Sequence, residues 1–421
     1  MSGPLRRPLQ AAWSLVLRGR RHLPRRADLW LERAKWAVKR PPRVEPPGPA
    51  AFPEEPLAAP ETPAQTAATL TPPPGPRVLL APANFAGQAR AWAGALEPAG
   101  LGQARNWAYV ANPVFAYQAD WAAPIGINAA PRQFFADLWR QVLAHFDGVI
   151  LESGRPVFGR LFGWAPEREA QALLRQGKRV ALAWHGSDIR LPSWHMATHA
   201  NSPYALPALR RRAAELEATA ARHRAALFPL GLPMLVSTPD LLEVVPDAIW
   251  CPSVVALPGP AELTPVLERP VPRVVHVPSS PLLKGTDLIA PALRDLAAQG
   301  VIEYTQAQGL TAAQVLDLYR QADVVLDQFR LGIYGVAACE AMAAGRLVVS
   351  DVDPSVRAAV HQRTGLDLPV VQATAGELPD LIRRLVQRRA EFQATAQAGR
   401  EFVATVHTGR LSAQAVAQAM G

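Results

Sequence analysis

The stretch ADVVLDQFRLGIYGVAACEAMAAGRLVVSDVD (322–353) decides the fold of this chain. DVVLDQ (323–328) reads as a short apolar strand, YGVAACEAMAAG (334–345) as a helix stopped by a glycine, and RLVVSDVD (346–353) as a second strand. Strand, helix and strand in that order build a parallel sheet. A helix that starts near Gly335 aims unpaired backbone N–H groups at an anion. Glu340 lies about a turn and a half into it, where a carboxylate can accept hydrogen bonds from vicinal hydroxyls, as on a ribose. An ordinary crossover with a surface glutamate is the alternative reading of the same residues.

The alternation continues outward from this unit. PRVVHVPSS (272–280) and VIEYTQ (301–306) read as strands, with helices over 283–300 and 311–322. An earlier series begins with RVLLAP (77–82), a polar loop and a helix over 86–100. It continues through DGVILES (147–153), a helix over 167–177, KRVALAWHGSD (178–188) and PMLVSTPDLL (233–242). Two such series predict an α/β protein of two Rossmann-like lobes facing a central cleft, with ligands at the carboxyl ends of the strands. The expected boundaries are a first lobe over 77–256, a second over 257–400, and a C-terminal helix over 401–421 that can return to the first lobe.

The remaining sequence is of a different kind. Residues 41–76 carry 13 of the 42 prolines and read as an extended, solvated linker. Residues 1–44 hold twelve Lys and Arg against Asp28 and Glu32, so the chain's net +9 belongs to this arm, and the body from 45 onward is close to neutral. The basic charge is therefore no evidence that the folded body binds nucleic acid. Within the arm, Leu29, Trp30, Trp36 and Ala37 lie near one helical face ringed by Arg33, Lys35 and Lys39. That pattern suits an anionic membrane surface, and a disordered basic tail is the alternative. Residues 1–76 are expected to be largely disordered. LQAAWSLVL (9–17) lacks a following cleavage site, which argues against secretion and for a cytoplasmic protein. No apolar run is long enough to span a membrane. Cys251 and Cys339 are the only cysteines, which excludes a disulfide framework and a cysteine-based zinc site.

Several ordered segments between 77 and 421 together resemble glycosyltransferases of the GT-B fold, of the family 4 or group 1 type. GIYGVAACEAMAAGRLVV (332–349) matches the second half of that family's E-G-F-G … E-A-M-A-x-G-x-P-V signature. PSSPLLKGTDLI (278–289) is similar to its Lys-Gly loop, HGSDIR (185–190) to its histidine-containing strand end, and NFAGQARAWAGAL (84–96) to its first glycine loop. STPDLLEVVPDAIWCPSVV (237–255) resembles its connection between lobes.

The resemblance implies an acceptor-side first lobe and a donor-side second lobe. Glu340 would hold the nucleotide ribose, and Lys284 would neutralise the diphosphate. Gly335 and Val336 would offer backbone donors to phosphate, and Gly87 would let the first loop approach it. His185 would sit by the transferred sugar, with Asp188 either orienting it or capping the next turn. The family's first glutamate falls at Gly332, so Asp327 and Gln328 are expected to supply polar contacts to the donor in its place. Its usual arginine falls near Ser279, leaving the phosphate site one cation. The implied activity is sugar transfer from a nucleotide-sugar to a glycan or lipid-linked acceptor, with retention and no metal or other cofactor, at the inner membrane face. A nucleotide-sugar epimerase and a non-catalytic bilobed binding or scaffold protein are the alternatives.

Rival signals are weaker. Asp351 and Asp353 form a D-x-D tripeptide, read here as incidental rather than metal-binding. His195 and His199 are four residues apart without the glutamate of H-E-x-x-H, and read as part of a loop near the cleft. Arg210, Arg211 and Arg212 open a helix read as a solvated charged face.

Overall fold

The computed structural model describes residues 76–109, 117–123 and 132–421. The basic arm and proline-rich linker read above lie outside the described residues.

The first lobe is built on a seven-stranded sheet: β1 Arg77–Ala81, β2 Gln103–Tyr109, β3 Trp121–Ala123, β4 Gly148–Glu152, β5 Arg179–Trp184, β6 Met234–Val236 and β7 Ile249–Trp250, in the order 3-2-1-4-5-6-7. The second has five strands: β8 Arg273–His276, β9 Glu303–Gln306, β10 Val324–Leu326, β11 Leu347–Ser350 and β12 Val371–Gln372, in the order 12-11-10-8-9. Every pairing in both sheets is parallel, with Leu80 opposite Ile150 and Val325 opposite Val348. The central strands are buried on both faces, which is why they read as unbroken Val, Leu and Ile runs. The chain thus has two Rossmann-like α/β lobes.

In each sheet the order reverses beside the first strand, between β1 and β4 and between β8 and β10. Those two switch points open crevices at the carboxyl ends of the strands, where such sheets hold their ligands.

Four strands escaped the sequence reading: β2, β3, β7 and β12. β2 carries Gln103, Arg105 and Asn106 where an apolar run would be expected. Buried Asn106 explains this, because its amide donates to the carbonyls of Leu80 and Ala83 and ties β2 to the loop after β1.

Helix Val336–Ala343 is rich in alanine, a strong helix former. It is apolar nearly all round and sits between β10, β11 and helix Arg389–Val406. Small residues permit that close approach, and Gly399 faces Met342. Glu340 is the only ionisable carboxyl on this helix. The turn after it is closed by Gly345 at φ +71° and by the buried guanidinium of Arg346, which donates to the carbonyls of Ala344 and Ala322. The last helix, Arg410–Met420, returns to the first lobe, where Ala413, Val416 and Met420 join Val78, Leu80, Trp92 and Leu235 in one core.

Candidate functional site

Both switch points gather polar side chains. In the second lobe Asp327 follows β10 directly and is fully buried. Its carboxylate is in contact with the Lys284 ammonium through one oxygen and accepts the Gly335 N–H at 3.3 Å through the other. Lys284 ends the short helix Pro281–Lys284 after β8, and Gly285 follows at φ +76°. A side chain at 285 would press on Phe329 and Arg330, so the Lys-Gly pair is a packing requirement of the loop. Gly335 caps helix Val336–Ala343, and Val336 is its first residue. Glu340 is half-buried on the same helix and accepts no hydrogen bond among the described residues. Burial pushes its carboxyl up to about 7, with the Lys284 charge pulling it part of the way back. An unpaired carboxyl at such a cost in desolvation is a vacant acceptor for a hydroxyl-bearing ligand.

Asp327 is spent within the protein, whereas Gln328 keeps its buried Oε1 without a hydrogen-bond partner among the described residues. Asp327 holds Lys284 and Gly335, while the Gln328 amide donates to the Ile333 carbonyl at 2.9 Å and staples the 331–335 loop. A second cation, buried Arg330, stands against Gly285 and donates to Asp287 at 2.6 Å. The sequence reading had left Lys284 as the one cation there.

Gly332 has φ +67°, and a Cβ built on it would lie 1.9 Å from the Asp353 carboxylate. A glutamate here, as in the family pattern, would need a strained backbone and a displaced Asp353 carboxylate. The D-x-D aspartate is also engaged, by contact with His199. His195 lies on helix Pro192–Thr198 and His199 caps it, rather than both standing in a loop.

In the first lobe His185 follows β5. Its ring stacks on Trp92 at 5.2 Å and meets the edge of Phe85 at 5.3 Å. Its Nε2 is 2.9 Å from a carboxylate oxygen of Glu152, the last residue of β4, whose side chain is wholly buried. The other Glu152 oxygen accepts the Ala83 N–H at 3.2 Å. Burial raises the pKa of Glu152, while His185 and the Ala83 amide counteract it. Burial works against a charge on His185, but the hydrogen bond and charge of Glu152 outweigh it, and the imidazole pKa is raised. Of the two roles read for Asp188, the structure shows the turn cap, its carboxylate accepting the N–H groups of His185 and Gly186 at 3.0 and 2.8 Å. The ring is oriented by Glu152, which the sequence reading missed. A carboxylate ending an apolar strand beside a histidine-ended strand was the available signal.

Gly87, at φ +73°, opens helix Gln88–Leu96, and a Cβ there would meet the Tyr117 ring at 3.2 Å. The Tyr117 hydroxyl pKa is raised first by burial and then by the charge of Glu340. Tyr117 thus packs on the Gly87 loop of one lobe and feels the charge of Glu340 from the other. It too was missed, since a lone Tyr outside any motif carries no signal.

No family model and no curated protein matches this sequence. Among solved structures the chain is similar to sucrose-phosphate synthase from Thermosynechococcus elongatus, at 14% identity over 81% of this chain and 97% of that one, with a TM-score of 0.47. It is also similar to a glycosyltransferase from Rickettsia africae, at 12% identity over 81% and 96%, with a TM-score of 0.49. A third likeness is to HepE of Anabaena in complex with UDP and glucose, at 10% identity over 82% and 99%, with a TM-score of 0.45.

Proposed function

We propose that the chain is a glycosyltransferase that moves a sugar from a nucleotide-sugar donor to a glycan or lipid-linked acceptor, with retention and without a metal. The observation that supports this most is Glu340: a desolvated carboxyl with no hydrogen-bond partner among the described residues, on the helix whose first amide meets the Lys284–Asp327 pair. A ribose offers the two hydroxyls that such a carboxylate can accept. Lys284, fixed by Asp327, meets the diphosphate, whose charge rises as the glycosidic bond breaks, so a preset cation favours the transition state over the ground state. Val336 adds a backbone donor at the helix start, and Gly335, whose N–H rests on Asp327 at a long 3.3 Å, adds a second on exchanging that acceptor for phosphate. His185, set by Glu152 and clamped between Trp92 and Phe85, lies on the acceptor side, where it orients the transferred sugar.

The test is isothermal calorimetry with a panel of nucleoside diphosphates and nucleotide-sugars, followed by product analysis of any donor that binds. Binding with transfer supports the reading. Nucleotide-sugar binding with conversion of the sugar alone supports the epimerase. Binding without turnover supports the non-catalytic paralogue, the reading that Gly332 in place of the family's glutamate favours. Absence of nucleotide binding refutes the transferase and the epimerase and leaves the scaffold.

Work at the cytoplasmic membrane face, through residues 1–44, belongs to the same proposal. No helix among the described residues is long and apolar enough to cross a membrane. Twelve basic residues at about 1 kcal/mol each when surface-adjacent suffice for reversible attachment to anionic lipid. Pelleting with anionic vesicles should fall with salt and on removal of the arm.

A further inference from the structure

Two sequence features that the donor site leaves unused meet each other across the lobes. His195 and His199 of the first lobe stack ring on ring at 3.9 Å and 10°. His195 Nε2 lies 3.4 Å from the Leu331 carbonyl of the second lobe, and its Nδ1 lies 2.8 Å from the Ser202 hydroxyl. A carbonyl can only accept, so Nε2 carries the proton and Nδ1 accepts from Ser202. His199 Nε2 contacts the Asp353 carboxylate, also of the second lobe. The Asp353 N–H donates to the Gly332 carbonyl at 2.8 Å. The two imidazoles therefore hold both sides of the loop that runs from Leu331 through Gly335 into the Glu340 helix. Beside them Leu283 and Leu331 pack against Tyr204, Ala213 and Leu216, extending the contact with an apolar patch.

We propose that His195 and His199 form a proton-sensitive clasp between the lobes, closed on Leu331 and Asp353 when His199 is charged and released when His199 is neutral.

The surrounding charges support one protonated ring and one neutral ring. Burial opposes a charge on His199, but Asp353, by hydrogen bond and by charge, outweighs it, with Glu243 adding to the effect, and the pKa rises above the ordinary value. His195 is pushed down to about 4 by burial first, then by the charges of His199 and Arg190, with Asp240 opposing. Arg190 and Asp240 are themselves a buried ion pair, and Asp351 stands within reach of Asp353. A neutral ring stacked on a charged one avoids the repulsion that two imidazolium ions at this spacing would suffer. Because the His199 pKa is raised on closure, the clasp is fully formed below the ordinary histidine pKa and is lost as pH rises through the folded value. None of these contacts involves the ligand, so the clasp stands whether or not that ligand is a nucleotide-sugar.

The experiment places spin labels on full-length protein at exposed Gln176→Cys in the first lobe and Gln299→Cys in the second, the native Cys251 and Cys339 being buried. Inter-lobe distances are read by pulsed electron resonance from about pH 6 to about pH 9. The expected result is a narrow short-distance population at the acid end that loses at least about half its weight at the alkaline end. In His199→Gln and in Asp353→Asn the broad distribution appears at every pH. A distribution unchanged by pH in the parent protein overturns the proposal, and that series needs no clasp variant to fold. A pH dependence that persists in both variants assigns the motion to another group and overturns it as well.

Discussion

The Glu152 carboxylate, wholly buried at the end of β4, lies 2.9 Å from Nε2 of His185 at the end of β5. Neighbouring strands deliver the two residues to the same end of the sheet at one crevice, so the pair is a product of parallel topology. Glu152 fixes the ring orientation by engaging Nε2 and leaves Nδ1 outside this contact.

The first prediction follows from that pairing. Because Glu152 raises the His185 pKa, Glu152→Gln should lower it, read as a move of the midpoint of the imidazole NMR titration to lower pH, toward or below about 6.5. Nucleoside diphosphate affinity, which the proposed function assigns to the other lobe, should change little. His185→Ala should lower kcat by about 10²-fold or more with the same affinity. An unaltered His185 midpoint in Glu152→Gln would show that the contact does not persist in solution.

Glu340 gives two opposed pH effects. Its folded carboxyl titrates near 7, above its ordinary 4.5, so the folded state binds more protons between those values. Stability should therefore fall as pH rises from about 4.5 to about 7, and Glu340→Gln should recover on the order of 2 kcal/mol at higher pH. Ligand binding should do the reverse. The ionised carboxylate is the better acceptor, so nucleotide affinity should rise through about pH 7 and lose that dependence in Glu340→Gln. Chemical denaturation and calorimetry at matched pH check both directions.

The buried Lys284–Asp327 pair separates stability from binding. Asp327→Ala leaves an ammonium and the Gly335 N–H without their acceptor and should cost about 3–5 kcal/mol in urea unfolding. Lys284→Ala should weaken nucleoside diphosphate binding by about 10–100-fold and lower kcat as well, because the leaving group gains charge in the transition state. Equal nucleotide affinity in Lys284→Ala and Glu340→Ala relative to the parent would place the donor elsewhere.

The strand–helix–strand unit at 322–353 was legible because every strand in it is a double-sided core strand, and such strands spell themselves in Val and Leu. β2 was not, because Asn106 spends its amide on backbone carbonyls inside the sheet. The second-lobe site was readable for a related reason. Lys284-Gly285 and Gly335 to Glu340 are local motifs, whereas Glu152, Arg330 and Tyr117 acquire their roles from partners 33, 43 and 30 positions away or more. The His195/His199 spacing was visible, but its partner Asp353 lies in the other lobe, and nothing in either motif names the other.

The last prediction concerns Gly332, where the sequence departs from the family pattern. The departure looks like a lost ligand contact, but the backbone gives it a different cause. At φ +67° a non-glycine residue costs about 1–3 kcal/mol, and here its Cβ would also run into the Asp353 carboxylate. Gly332→Glu should therefore fail to strengthen donor binding, and Gly332→Ala should destabilise by more than the conformational cost alone. Removing the obstacle separates the two contributions. In a double-mutant cycle, Asp353→Ala should relieve the steric share of Gly332→Ala and leave the conformational share, giving a favourable coupling of about 1 kcal/mol or more. Denaturant midpoints of the four proteins measure it. Strict additivity would mean that the 331–335 loop moves away from Asp353 at no cost, and the fixed loop geometry inferred for the donor side would fall with it.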